Sequence, residues 1–495
     1  MALYVGLDVG TTTLSAVILE APPGALKARC TMAHDAEATS AQDKALGRAE
    51  LDLERLYPQM LRALADVVAQ IDDARAHVRG IGVTGQMHGL ALLGADNRPL
   101  GPAITWQDRR AQDQVPDTSE TYLQRFLSLA GGPSAFERMG CLPATGYLGV
   151  TLFWLKLNGL LPPPPATACF IPDAVVSFLT GCPPCTDPTN GGSSGIMDIV
   201  ERQWAWPLIE RLGLPRELFP PVRESGERAG ELRPTLAHEL GLPLGTPVYV
   251  ALGDNQASFL GSVREPGNSL LVNVGTGSQL SALVESFQRL PGLDVRYFPG
   301  GKYLLVGAGL FGGRSYAYLR EFFRRVGVAF FGARGDEELY EEMNRLAAQV
   351  SPGADGLRCS PLFTGTRTDP TLRGSFTGIT PENLTPGHLT RALLEGMAEG
   401  FYAFYEQMRP LLGSRTQLIG SGNGLRRNPL LAQILAERFG MPLHIPALEE
   451  EAAVGAALLA AVGTGEYADL EKATRMLGYR KTLIPSGNYQ TAAAT

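Results

Sequence analysis

Two rhythms of apolar residues alternate along this chain. The segment ERLYPQMLRALADVVAQI carries them at helical spacing, and the run GIGVTGQMHGLALLG that follows reads as strand, turn and strand. The exchange returns late in the chain: HLTRALLEGMAEGFYAFYEQM predicts a helix, TQLIGSGNG a strand ending in a glycine turn, and NPLLAQILAERFG another helix. Helix and strand in alternation predict an α/β protein.

The pattern also repeats on a larger scale. VGLDVGTTTLSAVILE near the start and LLVNVGTGSQLSALVE in mid-chain share an apolar strand, a Gly-Thr turn and a second apolar strand, with Gly10 and Gly275 in equivalent places. Two similar halves are expected. The Pro/Gly-rich stretch GLPLGTPV falls just before the second copy, so the predicted domains are 1–250 and 251–485. The tail 486–495, SGNYQTAAAT, is expected to be disordered.

Composition narrows the picture. The 495 residues are too many for one compact core at roughly 100–200 residues per domain. The 58 glycines make up about 12% of the chain, against an average near 7%, which predicts many tight turns. A net charge of −7 with no basic block argues against a nucleic-acid partner and favours a small polar ligand. The start, MALYVGLDVG, has no basic leader, and the apolar stretch AAVGAALLAAVGTG is too short to span a bilayer. A soluble, cytoplasmic protein without membrane association is expected. The 6 cysteines are scattered, and Cys182-Pro-Pro-Cys185, lacking a second pair, reads as a loop.

Chemistry gathers at four places. Asp8 ends a strand before Gly10-Thr11-Thr12-Thr13: backbone N–H groups and hydroxyls of such a turn suit phosphate oxygens, and the carboxylate suits Mg²⁺. An ordinary hairpin turn is the alternative. The second copy, Asn273-Val274-Gly275-Thr276-Gly277, weighs against that alternative, because two such turns can clamp one phosphate chain. A third cluster, Gly420-Ser421-Gly422-Asn423-Gly424, precedes a helix beginning near Asn428, where a nucleoside can lie against backbone. Asp254 in ALGDNQASFLG follows an apolar strand; it is placed either as a base for a substrate hydroxyl or as a helix cap.

These motifs in this order resemble the FGGY family of carbohydrate kinases, and the resemblance covers nearly the whole chain. It rests on LDVGTTT, GQMHG, TWQDRR with Trp106 and Asp108, ALGDNQAS, VNVGTGSQ, GSGNGLRRNP and EEAAVGAALLA. The resemblance implies a duplicated actin-like ATPase (ribonuclease H-like) fold with two domains around a central cleft. It implies that Asp254 is the general base, that Gln86, Met87, His88 and Asn255 line a sugar site in the first domain, and that both Gly-Thr turns hold ATP. Gly420, Ser421, Gly422 and Asn428 would lie near the adenosine, and Asp8 would help position Mg²⁺. GQMHG points within the family to ketose kinases rather than glycerol kinases, and the order of the remaining motifs is most similar to the sedoheptulokinase branch.

The implied reaction is ATP-dependent phosphorylation of a ketose on its terminal hydroxyl, sedoheptulose to sedoheptulose 7-phosphate first, with xylulose or ribulose as alternatives. The expected partners are that ketose and ATP, in a monomer or homodimer. One departure stands out: where relatives usually carry Lys or Arg seven residues after the first-loop aspartate, this chain has Ser15. That substitution keeps open a non-catalytic sugar- or nucleotide-binding regulator, against which Asp254 argues. Other matches carry less. Gly307 to Gly312 fits GxGxxG but would open a dinucleotide unit in mid-chain, and Gly191 to Gly195 fits GxSxG but leads into a strand-like IMDIV. Neither a Walker loop nor HExxH occurs.

Overall fold

The computed structural model describes residues 2–275, 277–310, 312–332, 339–363, 365 and 371–486. The expected disordered tail therefore lies outside the described residues except for Ser486.

The first sheet is built from β1 (Leu3–Val9), β2 (Thr13–Glu20), β3 (Ala25–Ala33), β4 (Val78–Gly85), β5 (Arg228–Glu231), β6 (Pro247–Tyr249) and β7 (Leu252–Gly253), in the order β5-β6-β4-β1-β2-β3 with β7 also on β4. β1 and β2 form an antiparallel hairpin, whereas β4 lies parallel to β1. The amphipathic run predicted as a helix is α1 (Leu53–Val68), capped by the Asp52 carboxylate and burying Leu56, Met60, Leu64 and Val67. β7 runs directly into α2 (Asp254–Ser262).

The second sheet repeats the plan. β8 (Ser269–Val274), β9 (Ser278–Val284), β10 (Asp294–Phe298), β11 (Lys302–Leu310), β12 (Gln417–Ser421), β13 (Leu443–Pro446) and β14 (Tyr479–Leu483) run in the order β10-β11-β9-β8-β12-β13-β14. β8–β9 is an antiparallel hairpin, and β12 lies parallel to β8 as β4 does to β1. The echo of LDVGTTT and VNVGTGS is thus a pair of equivalent hairpins at the centres of two equivalent sheets. α3 (Pro386–Leu412) and α4 (Pro429–Phe439) bury their apolar faces in the second core.

A third core joins the halves. α5 (Glu451–Gly463) is buried on nearly every side and packs with α2 between the sheets, among Tyr4 and Val17 of the first sheet and Leu271 and Leu304 of the second. Its Ala/Gly composition follows from closeness. A Cβ on Gly6 of β1 would stand 1.8 Å from the Ala453 carbonyl oxygen, and one on Gly455 would stand 2.0 Å from that of Ala257. No larger side chain fits at either contact. α5 comes from the second half of the chain yet covers the first sheet, so its Glu450 end reaches the carboxyl edge of β1.

Candidate functional site

The C-terminal ends of three adjacent parallel strands make the floor of the site. In register across them stand Asp8 on β1, Thr84 on β4 and Leu252 on β7, with the Thr84 hydroxyl donating to the Leu252 carbonyl at 2.8 Å. Open α/β sheets commonly bind ligands at such an edge. Asp8 Oδ1 is shielded from solvent and has no hydrogen-bond partner. Burial, and then the negative charges of Asp254 and Glu450, push its carboxyl up to about 8. A carboxylate so placed gains most from a cation, and Mg²⁺ with its few protein ligands fits a single carboxylate at a phosphate site. Among the described residues, no group of three or more His, Cys, Asp or Glu is arranged to hold a metal by itself.

Asp254 is the first residue of α2. Gly253 occupies the cap position and no side chain caps the helix, so the capping alternative for Asp254 is not realised. Burial pushes its carboxyl up to about 6, against the opposing pull of the Arg296 guanidinium and the Asn255 backbone N–H. An acid held near neutrality at the mouth of a cleft suits a general base.

The first Gly-Thr turn projects beyond Asp8. Gly10 N–H donates to the Thr13 carbonyl at 3.0 Å, while Thr12 and Thr13 are exposed. Thr11 Oγ1 accepts from the indole N–H of Trp106 at 2.9 Å, which links TWQDRR to the turn. Gln86 is buried and faces this turn too: its Nε2 donates to the Gly10 carbonyl at 3.3 Å and its backbone N–H to Val9. Ser15 is buried on β2 opposite Asp8, and its hydroxyl donates to Glu450 Oε2 at 2.7 Å. Asp108 is a scaffold residue, fully buried and paired to Arg110 at 2.8 Å.

The second turn mirrors the first, with Gly275 N–H donating to the Gly277 carbonyl at 3.2 Å. Thr276 lies outside the described residues. The third glycine cluster packs directly behind it: Asn273 Nδ2 donates to Ser421 Oγ at 2.9 Å, and Gly422, at φ 83°, sits where a Cβ would be 2.6 Å from the Val274 carbonyl oxygen. Gly420 points away from the cleft, toward Leu443, Ile445 and Leu425. Asn428 caps α4, accepting from the Leu431 N–H at 2.9 Å.

A small cavity, about 10 Å³, lies close to Asp254. Met87 and His88 line it from the first half together with Tyr147, Thr189 and Ser193, and Asp294, Arg296 and Tyr297 close it from β10 of the second. His88 has a left-handed backbone, φ 73°, and its ring stacks on Tyr147 at 4.2 Å. Its backbone N–H donates to Ser193 Oγ at 3.0 Å and its Nδ1 to the Ser193 carbonyl at 2.9 Å. A carbonyl only accepts, so Nδ1 carries the hydrogen. Asn255 is 4% exposed, with neither side-chain polar atom hydrogen-bonded. A buried amide of that kind calls for a ligand with hydroxyl groups. A second cavity, about 1050 Å³, lies at the other ends of α2 and α5, among Phe259, Val263, Leu283 and Leu459.

The sequence motifs therefore converge, with different tasks than the motifs alone suggest. Asp8, Asp254, Met87, His88, Asn255 and the first turn gather at one edge; Gln86 faces that turn, and Gly420 and Asn428 support the second turn from behind. Sequence reasoning missed Tyr147, Ser193, Arg296 and Glu450. The GGSSG match that contains Ser193 was the available signal.

Comparison with known proteins agrees with this architecture. The profile described as "FGGY family of carbohydrate kinases, N-terminal domain" matches residues 3–261, and that of the C-terminal domain matches 270–464. The chain is similar to sedoheptulokinase from Mus musculus, 32% identical over 92% of this chain and 96% of that one. It is also similar to xylulose kinase from Lactococcus lactis, 26% identical over 98% and 93%. Among solved structures, ligand-bound xylulose kinase from Lactobacillus acidophilus superposes with a TM-score of 0.85 at 20% identity, over 99% of this chain and 95% of that one. The fold is the duplicated actin-like ATPase fold.

Proposed function

The chain belongs to the FGGY family of carbohydrate kinases, and from that premise we propose that it uses ATP to phosphorylate sedoheptulose on its terminal hydroxyl, giving sedoheptulose 7-phosphate. It is a ketose kinase, a phosphotransferase acting on a sugar hydroxyl. The observation that carries the site assignment is the pairing of Asp254 and Asp8 at one sheet edge, each with a raised carboxyl, beside the first Gly-Thr turn. The choice of a seven-carbon ketose is supported by the two sedoheptulokinases at 32% and 31% identity.

In this reading the ketose contacts Asn255 together with Met87, His88 and Arg296, whose cavity of about 10 Å³ has to widen to admit it. Asn255 supplies both an amide donor and a carbonyl acceptor to its hydroxyls. Asp254 takes the proton of the terminal hydroxyl as that oxygen attacks the γ-phosphorus, and ADP leaves in line. Thr11, Thr12, Thr13, Gly10, Gly275, Thr276 and Gly277 receive the phosphates from the two halves. Gly422 and Ser421 form the floor under the nucleoside. Asp8 would hold Mg²⁺, which would supply neutralisation of the charge that builds on the phosphate oxygens. The first turn and the Gln86–His88 part of the sugar site belong to 1–250, Asp254, Asn255, Arg296, the second turn and the nucleoside loop to 251–485, and a cytoplasmic supply of ATP suits the reaction.

A coupled ADP-release assay with sedoheptulose, xylulose, ribulose and glycerol tests the proposal. The highest kcat/KM with sedoheptulose is expected. Preference for a pentulose would move the substrate within the ketoses, and no sugar-dependent ADP release would overturn the proposal.

A further inference from the structure

The segment Asp187 to Ser194, reading DPTNGGSS, connects both working parts of the site. Asp187 is fully buried. Its Oδ2 accepts from the Thr189 hydroxyl at 2.6 Å and from the Ser225 hydroxyl, while Oδ1 accepts from Asn190 through the backbone N–H at 2.9 Å and the side-chain amide at 3.0 Å. Two chains of hydrogen bonds leave this carboxylate. In the first, Thr189 Oγ1 accepts from the Gly253 N–H at 2.8 Å, and Asn190 Nδ2 donates to the Ala251 carbonyl at 3.3 Å. In the second, the Asn190 carbonyl accepts from Ser193 Oγ at 2.7 Å, and Ser193 receives the backbone N–H and Nδ1 of His88.

The chemistry of each link is specific. Thr189 has one hydroxyl hydrogen, and the carboxylate takes it; its lone pair is thereby turned to the Gly253 N–H. Gly253 immediately precedes Asp254, so this bond fixes the peptide from which α2 and its first side chain start. The Ser193 hydroxyl likewise gives its hydrogen to the Asn190 carbonyl and turns a lone pair to the His88 backbone N–H, holding the His88 turn, while the Ser193 backbone carbonyl receives Nδ1. Low-dielectric surroundings make such a closed network stiff, and a carboxylate with four donors is its natural anchor.

We propose that Asp187 is a positioning residue for the transfer reaction: through Thr189 it sets the start of α2 and thus Asp254, and through Asn190 and Ser193 it sets His88, so one buried node holds base and sugar site in register. This rests on the reading of Asp254 as base and of the His88 turn as part of the ketose site. The two branches are separable, because Thr189 serves only the first and Ser193 only the second.

The test uses the full chain and three variants, Thr189→Val, Thr189→Ser and Ser193→Ala, with hydrogen exchange at the Gly253 amide read alongside steady-state kinetics. Thr189→Val is expected to speed Gly253 exchange about tenfold, the effect of one lost hydrogen bond. It should also lower kcat on the order of 10–100-fold with the ketose KM changed less than about twofold, as for a base displaced by a fraction of an ångström. Thr189→Ser should restore both. Ser193→Ala should raise the ketose KM roughly fivefold or more with Gly253 exchange and the ATP KM unchanged. Unchanged Gly253 exchange in Thr189→Val, a Ser variant no better than Val, or the same kinetic pattern from both branches would overturn the proposal. If Thr189→Val does not fold, Asp187→Asn is read by the same exchange measurement. A wild-type protein that phosphorylates no ketose would defeat the kinase reading, while the exchange result would still decide whether the node holds the Gly253 peptide.

Discussion

Ser15 donates its hydroxyl to Glu450 Oε2 at 2.7 Å, across 435 residues of sequence, joining β2 of the first half to the start of α5 from the second. At the position where the family resemblance leads one to expect a cation, this chain has a neutral donor, and the charges of Asp254 and Glu450 act on Asp8 opposite it. In the proposed reaction, charge neutralisation at the phosphates would rest on Mg²⁺ and backbone N–H groups rather than on position 15. Ser15→Ala should cost roughly 1–3 kcal/mol of stability, as for a bond to a charged group, and lower kcat less than about threefold. A larger fall in kcat at an unchanged thermal midpoint would show that the hydroxyl meets the phosphates directly.

The raised carboxyl of Asp254 fixes the sign of a pH effect. The base works ionised, so kcat/KM should be flat above its value of about 6 and fall tenfold per pH unit below it. The Arg296 guanidinium favours the ionised form, so Arg296→Gln should move this limb to higher pH. Stability runs the other way. A carboxyl raised in the folded state contributes stability at low pH that is lost as pH rises through about 6. The thermal midpoint of Asp254→Asn relative to wild type should therefore rise between pH 5 and pH 8.

Trp106 is 45% exposed, and its indole N–H reaches the Thr11 hydroxyl at 2.9 Å. Ligands entering the cleft change both its solvent contact and its hydrogen bond. Addition of ATP and Mg²⁺ should shift the tryptophan emission, and Trp106→Phe should remove most of that response, although the chain has 4 tryptophans. An undiminished response in the variant would place the ligand away from the first turn.

Gly6 admits no side chain, because a Cβ there would stand 1.8 Å from the Ala453 oxygen. Gly6→Ala must push α5 off the first sheet, and a loss of roughly 1–3 kcal/mol or more is expected in denaturant unfolding. Because α5 also carries Glu450, activity should fall further than the stability loss alone accounts for.

What could be read from the sequence was whatever is local or repeated. The paired hairpins, the strand–glycine–helix unit at Gly420 to Asn428 and the amphipathic α1 follow from spacing and turn chemistry. Contacts between distant segments left no local trace: Ser15 with Glu450, His88 with Ser193, and Arg296 with the cavity beside Asp254. Gly420 shows the limit from the other side, since a glycine in a ligand-like cluster is required here by the packing of Leu443 and Ile445. The Ala-rich α5 was readable in part. A helix apolar on every face must be buried, but which sheet it covers is decided by the small residues facing it, Gly6 and Gly82.

The central claim is that Asp254 is the base of a ketose kinase, and replacing it by Asn tests that claim most directly. In a coupled ADP-release assay with sedoheptulose and saturating ATP, Asp254→Asn should lower kcat about 10²–10⁴-fold while the protein still folds and binds ATP. An Asp254→Asn protein that retained wild-type kcat with the same ketose would contradict the account.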